Sequence, residues 1–118
     1  SIIYMRFIEN NDFNNEQGRE IELETKIQVK NNKTNDNEAI VNVVIIIGKE
    51  SSSTPFLVET EVSAHFRWDE SINENKVEMF LNQNAPALLI SYARPIISII
   101  TNSSHYPAYN LPFINLMP

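Results

Sequence analysis

The groups in this 118-residue chain that could do acid–base or covalent chemistry are two histidines, His65 and His105, the run Ser51-Ser52-Ser53, and fifteen acidic side chains. Their spacing argues against catalysis. The histidines have neither the i, i+4 helical spacing nor a third ligand nearby in sequence that a metal site needs. The serines lack the glycine-flanked elbow that presents a nucleophile, and they read as a polar turn. The chain contains no cysteine, which excludes thiolate chemistry, disulfides and cysteine-ligated metals. With only two glycines, it holds no glycine-rich phosphate loop. No catalytic residue, metal or cofactor is expected; a deep pocket bringing His65 beside two carboxylates would change that reading.

The carboxylates are patterned differently. Glu20, Glu22 and Glu24 alternate along one segment and Glu59 and Glu61 along another, so each set shares one face of a strand. A solvated sheet face is the plain interpretation. The net charge of −6 disfavours a phosphate-binding surface and suits cationic partners, so no nucleic acid is expected. No uncharged apolar run approaches the roughly 20 residues that span a bilayer, and no basic leader precedes an apolar core, so a soluble, cytoplasmic protein without membrane insertion is expected. Asn32-Lys33-Thr34 and Asn102-Ser103-Ser104 match the glycosylation pattern by chance on that reading. The length suits one domain spanning residues 1–118.

Four segments read as strands. Ile2 to Ile8 is short, apolar and partly β-branched. Arg19 to Lys30 alternates Ile21, Leu23, Ile27 and Val29 against polar residues. After a turn-rich stretch from Asn31 to Asn37, Ala39 to Gly48 is apolar at nearly every position, which predicts a strand covered on both faces. Phe56 to Trp68 alternates again. The last three strands are expected to form an antiparallel meander. Asp69 to Asn84 reads as a crossover with one helical turn. A helix is expected to follow, capped by Asn84 with Pro86 in its first turn. Leu88, Leu89, Tyr92, Ile96, Ile99 and Ile100 would form its apolar face, and Pro95 would kink it. From Tyr106 to Pro118 the prolines predict an extended tail.

Several of these pieces occur in a familiar order. Phe56-Leu57-Val58-Glu59, Leu88-Leu89, Tyr92-Ala93-Arg94, Tyr106-Pro107 and Asn110-Leu111-Pro112-Phe113-Ile114-Asn115-Leu116 together resemble the SecB-like protein-export chaperones, the match becoming loose upstream of Arg19. The resemblance implies an α+β fold: a four-stranded antiparallel sheet packed with one main C-terminal helix and an extended Pro-rich tail. It also implies a homo-oligomer, a dimer or a dimer of dimers. In that family a leucine and an acidic residue on the exposed sheet receive the basic tail of the SecA motor, and these are similar to Leu57 and Glu59. Pro95 and His65 depart from the family pattern.

Phe66, Trp68, Ile72, Met79, Phe80, Leu89, Tyr92, Tyr109 and Phe113 form an aromatic and aliphatic set with two readings. They are core or subunit interface, or they line a groove for unfolded clients, where large adaptable side chains suit a partner without fixed shape. The functional expectation is an ATP-independent holdase that binds unfolded or preprotein polypeptides and delivers them to SecA. The alternatives are a dedicated chaperone of one partner, such as a toxin–antitoxin component, and a scaffold that binds no clients.

Overall fold

A computed structural model describes residues 2–10, 13, 23–50, 54–104 and 109–112. The chain runs β1 (Ile2–Glu9), β2 (Thr25–Asn35), β3 (Glu38–Gly48), β4 (Phe56–Arg67), α1 (Glu74–Met79), a π-helical turn (Phe80–Asn84) and α2 (Ala85–Asn102). The strands make one sheet in the order β1-β4-β3-β2, and every pairing is antiparallel. The expected α+β architecture, a four-stranded antiparallel sheet backed by a C-terminal helix, is therefore what the chain adopts.

β3 organises the packing. Its odd positions, Ala39, Val41, Val43, Ile45 and Ile47, are fully buried. They lie in register with Ile27 and Val29 on one side and Val58 and Val62 on the other. Helical residues Val77, Leu81, Ala85, Leu89, Ile90, Ala93 and Ile97 complete that core. The even positions Ile40, Val44 and Ile46 point to the opposite face, where they are only partly covered. Gly48 ends the strand at φ 77°, and a Cβ there would come 2.1 Å from the Phe56 carbonyl oxygen. Only glycine fits that turn.

Two local expectations change. The Asn31–Asn35 stretch is strand rather than turn, pairing Asn31 with Val41 and Asn35 with Glu38, and only Asp36 and Asn37 turn the chain. Ladder hydrogen bonds to β3 outweigh the low strand preference of asparagine. The helix does not begin at Asn84, which is itself helical at φ −71°, ψ −45° and makes no cap bond. The helical path begins ten residues earlier at Glu74, where the Asn73 side chain accepts the Lys76 amide at 3.0 Å, and it reaches α2 through the π turn. Pro95 lies inside α2, where the sequence places it. Its missing N–H costs the Ser91 carbonyl a partner on the exposed side, where water can replace it.

The phase of α2 also differs from expectation. Ala85, Pro86, Leu89, Ile90, Ala93, Ile97 and Thr101 are buried, whereas Leu88, Tyr92 and Ile99 are 43%, 59% and 71% exposed. The helix is apolar on both sides. Ala85 and Ala93 mark the inward side, because small residues let a helix approach a sheet closely.

Candidate functional site

The end of β4 and the helical crossover bring four of the expected groove residues together. Phe66 and Phe80 meet edge-to-face with ring centroids 5.3 Å apart. Trp68, Ile72 and Phe80, with Val77 and the side chains of Arg67 and Lys76, line a cavity of about 370 Å³. Ile72 is 42% exposed and Met79, on the same crossover, 57%. Asp69 shapes this turn by accepting the Ser71 amide and hydroxyl, both at 2.8 Å, and these bonds hold its carboxyl below the ordinary value.

The remaining groove candidates lie elsewhere. Leu89 is core, 1% exposed, because it falls on the inward side of α2. Tyr92 lies on the outer side of the same helix. Tyr109 sits at the opposite end of β4, edge-on to Phe56 at 6.5 Å, with its hydroxyl 3.2 Å from that of Thr25. Phe66 lies ten residue steps along β4 from Phe56, roughly 33 Å. Phe113 lies outside the described residues. The eight described positions therefore do not form one groove within the chain.

Residues 109–112 run back along α2. Thr101 accepts the Tyr109 amide at 2.7 Å, Ser98 donates to Asn110 at 3.2 Å, and Arg94 donates to the Pro112 carbonyl at 3.1 Å. Leu111 is buried in the core.

The second candidate, Leu57 with Glu59, lies on the sheet face away from the helix. Leu57 is only 7% exposed, flanked across the strands by Ile8 and Gly48, so it is not the open apolar anchor that was expected. Glu59 accepts the Tyr4 hydroxyl at 2.6 Å. That hydrogen bond, more than burial or the charges of Glu59 and Glu61, raises the Tyr4 phenol above its ordinary pKa. Glu61 is held by Asn42 at 2.8 Å. The face is also less acidic than the alternation of Glu residues suggested. Arg6, Lys26 and Lys30 share it, and Glu24 lies 3.9 Å from Lys26 and 3.8 Å from Lys49. Glu20 and Glu22 lie outside the described residues.

His65 meets one carboxylate, Glu38, at 3.3 Å, and Arg67 Nε donates to the same group at 2.7 Å. Burial pushes the Glu38 carboxyl up, but the hydrogen bond and charge of Arg67, helped by Asn35 and His65, outweigh it and hold the group below the ordinary range. His105 and Ser51 to Ser53 lie outside the described residues. Among the described residues no three His, Asp or Glu side chains are grouped to hold a metal ion, and no helix is long and apolar enough to cross a membrane.

Sequence reasoning missed Arg67, Lys76 and Val77 as cavity residues. A signal was present for Lys76, which stands four positions before Phe80 and so shares its helix face.

A family model described as preprotein translocase subunit SecB matches residues 8–117. An uncharacterized protein of Methanocaldococcus jannaschii is 31% identical over 98 residues, 81% of this chain and 61% of the relative. The protein-export protein SecB of Desulfotalea psychrophila is 27% identical over 103 residues, 85% of this chain and 65% of the relative. The chain thus spans a little under two thirds of these relatives' lengths. Among solved structures, a SecB-like chaperone of Mycobacterium tuberculosis, in complex with a ChAD peptide from the HigA1 antitoxin, superposes with a TM-score of 0.69 at 12% identity, covering 97% of this chain and 86% of that one.

Proposed function

Because the chain belongs to the SecB family, we propose that it is an ATP-independent holdase, a non-enzymatic chaperone that binds non-native polypeptide. The apolar surface that the crossover leaves open, with Ile72 and Met79 exposed beside the Trp68–Phe80 cavity, supports this reading most directly. Adaptable side chains such as Met and aromatic rings accommodate clients of no fixed shape. Weak single contacts gain strength when one long client reaches several sites of an oligomer. The uncharged outer stripe of α2, with Leu88, Tyr92 and Ile99, is where copies would meet, since a monomer gains nothing by exposing it.

Mixing the protein with a diluted, chemically unfolded model protein and following light scattering tests this function. Suppression of aggregation near stoichiometric amounts, without nucleotide, supports it; none with several unrelated clients refutes it. Delivery to SecA is a finer part of the proposal, resting on Glu59 because Leu57 is buried, and unchanged SecA affinity in Glu59→Lys would refute that part. The antitoxin peptide carried by the mycobacterial structure favours a second reading, a chaperone dedicated to one partner. A single protein co-purifying in fixed stoichiometry distinguishes it from a general holdase.

A further inference from the structure

The sequence predicts a β3 covered on both faces, and the fold covers only one. The odd residues of β3 are fully buried in the core, whereas Ile40, Val44 and Ile46 stand on the opposite face, only partly covered. An antiparallel sheet that turns one face to water normally carries polar residues there. On this face β2 and β4 do so, and β3 has only Asn42 between its aliphatic residues.

The strands flanking that apolar spine carry opposite charge. Registry sets Lys26, Ile46 and Glu59 in one row across β2, β3 and β4, then Gln28, Val44 and Glu61, then Lys30, Asn42 and Ser63. Two lysines and an amide therefore line one side, and two carboxylates the other. Lys26 and Glu59 stand two strand spacings apart, about 10 Å, too far to pair within the chain. Lys26 lies 3.9 Å from Glu24, which is shared with Lys49 at 3.8 Å. Glu59 and Glu61 accept from neutral donors, the Tyr4 hydroxyl and the Asn42 amide. Of the remaining charges on this face, Arg6 is registered with Glu59 but lies 3.4 Å from Glu50, and Glu38 holds His65 and Arg67 at the far end.

Cation, apolar side chain, anion is an order that complements itself. With a second copy turned over about a two-fold axis lying along β3, between the sheets, β3 faces β3 while β2 of each copy faces β4 of the other. Lys26 then meets Glu59, Gln28 meets Glu61, and Val44 and Ile46 meet their own counterparts across an aligned sheet packing about 10 Å thick. A two-fold axis running across the strands would instead set β4 against β4 and β2 against β2, like charge on like charge. A partner of one charge throughout would be repelled by one flanking strand or the other.

We propose that this sheet face is a self-association surface on which a second copy of the chain sits, β2 of each against β4 of the other. Three strands over residues 26–32 of β2 offer roughly 300 Å² per copy, well below the about 800 Å² per partner of a stable interface, so the association is weak and depends on concentration. It is separate from any contact through the outer stripe of α2, which lies on the other side of the sheet, and it does not rest on client binding. It covers Glu59, so a partner that binds there competes with it.

Sedimentation velocity from about 10 μM to about 1 mM, a range that spans weak association, tests the proposal. The sedimentation coefficient of the parent is expected to rise with concentration. Lys26→Glu and Glu59→Lys should each move that rise to about 10-fold higher concentration, since two symmetric exposed ion pairs become like-charge pairs. Mixing the two single variants one to one should restore it, because opposite charges then meet at both contacts, and so should both changes in one chain. The Lys26 side chain is 63% exposed, so Lys26→Glu leaves the core intact and decides the question alone if Glu59→Lys fails to fold. A parent coefficient constant over this range, association unchanged in Lys26→Glu, or a mixture no stronger than its components would overturn the proposal; association that survives both charge reversals belongs to another surface.

Discussion

Thr101 offers the sharpest test of how the chain after α2 is held. It is fully buried, donates to the Ile97 carbonyl at 2.8 Å and accepts the Tyr109 amide at 2.7 Å. Thr101→Val keeps the shape and replaces the hydroxyl with a methyl group. The helical carbonyls retain their main-chain partners, but the Tyr109 N–H loses its acceptor. A buried donor left unpaired costs about 1–3 kcal/mol, and the added methyl returns about 0.8 kcal/mol. The net expectation is a loss of about 1 kcal/mol in urea unfolding. Hydrogen exchange identifies the cause. The Tyr109 amide should exchange several-fold faster in Thr101→Val, whereas Thr101→Ser, which keeps the hydroxyl and loses a methyl, should leave it protected while costing similar global stability. Unchanged Tyr109 exchange in Thr101→Val would refute the reasoning, because the hydroxyl would then not be what fastens residues 109–112 to the helix.

Gly48→Ala should destabilise by more than about 3 kcal/mol, or prevent folding, since it combines positive φ with a 2.1 Å clash against backbone; a urea midpoint near that of the parent would contradict the geometry. Glu38 binds its proton less readily in the folded chain than in the unfolded one, so the unfolded state takes up more protons in acid. Its contribution is complete above the ordinary carboxylate value and is lost as pH falls from there through the lowered value of the folded chain. Glu38→Gln should therefore flatten the stability profile there, measured by urea unfolding across pH. Met79→Ser should change stability by less than about 0.5 kcal/mol yet weaken suppression of client aggregation. Ile99→Asp should shift sedimentation toward smaller species without lowering helix content by circular dichroism.

The strand and helix content of this protein was legible because those signals are local. Alternation in Phe56–Arg67, the β-branched run Val43–Ile47 of β3 and the helical spacing after Pro86 each declare a pattern that neighbouring residues alone establish. The ordered motifs from Phe56 onward also carried the family. The start of the helix was not legible. Asn84-Ala85-Pro86 looks like an N-terminus, but helix already arriving from Asn73 left Asn84 no orphan amide to cap.

What the tertiary structure alone decided is which of two acceptable surfaces turns inward. Periodicity places Leu88, Tyr92 and Ile99 on one side of α2 and Leu89, Ala93 and Ile97 on another, and both are apolar. Contact with β3 and β4 chose the second, because the side with alanines packs closely on the sheet. The asparagine run of β2 is likewise a strand only because β3 is there to pair with it. Strand pairing sets Leu57 beside Ile8, far away in sequence, and the cavity brings Arg67 from a strand to Lys76 from a helix. Spacing along a chain sets angles within an element, whereas burial and charge pairing depend on elements meeting, which only the packed fold determines.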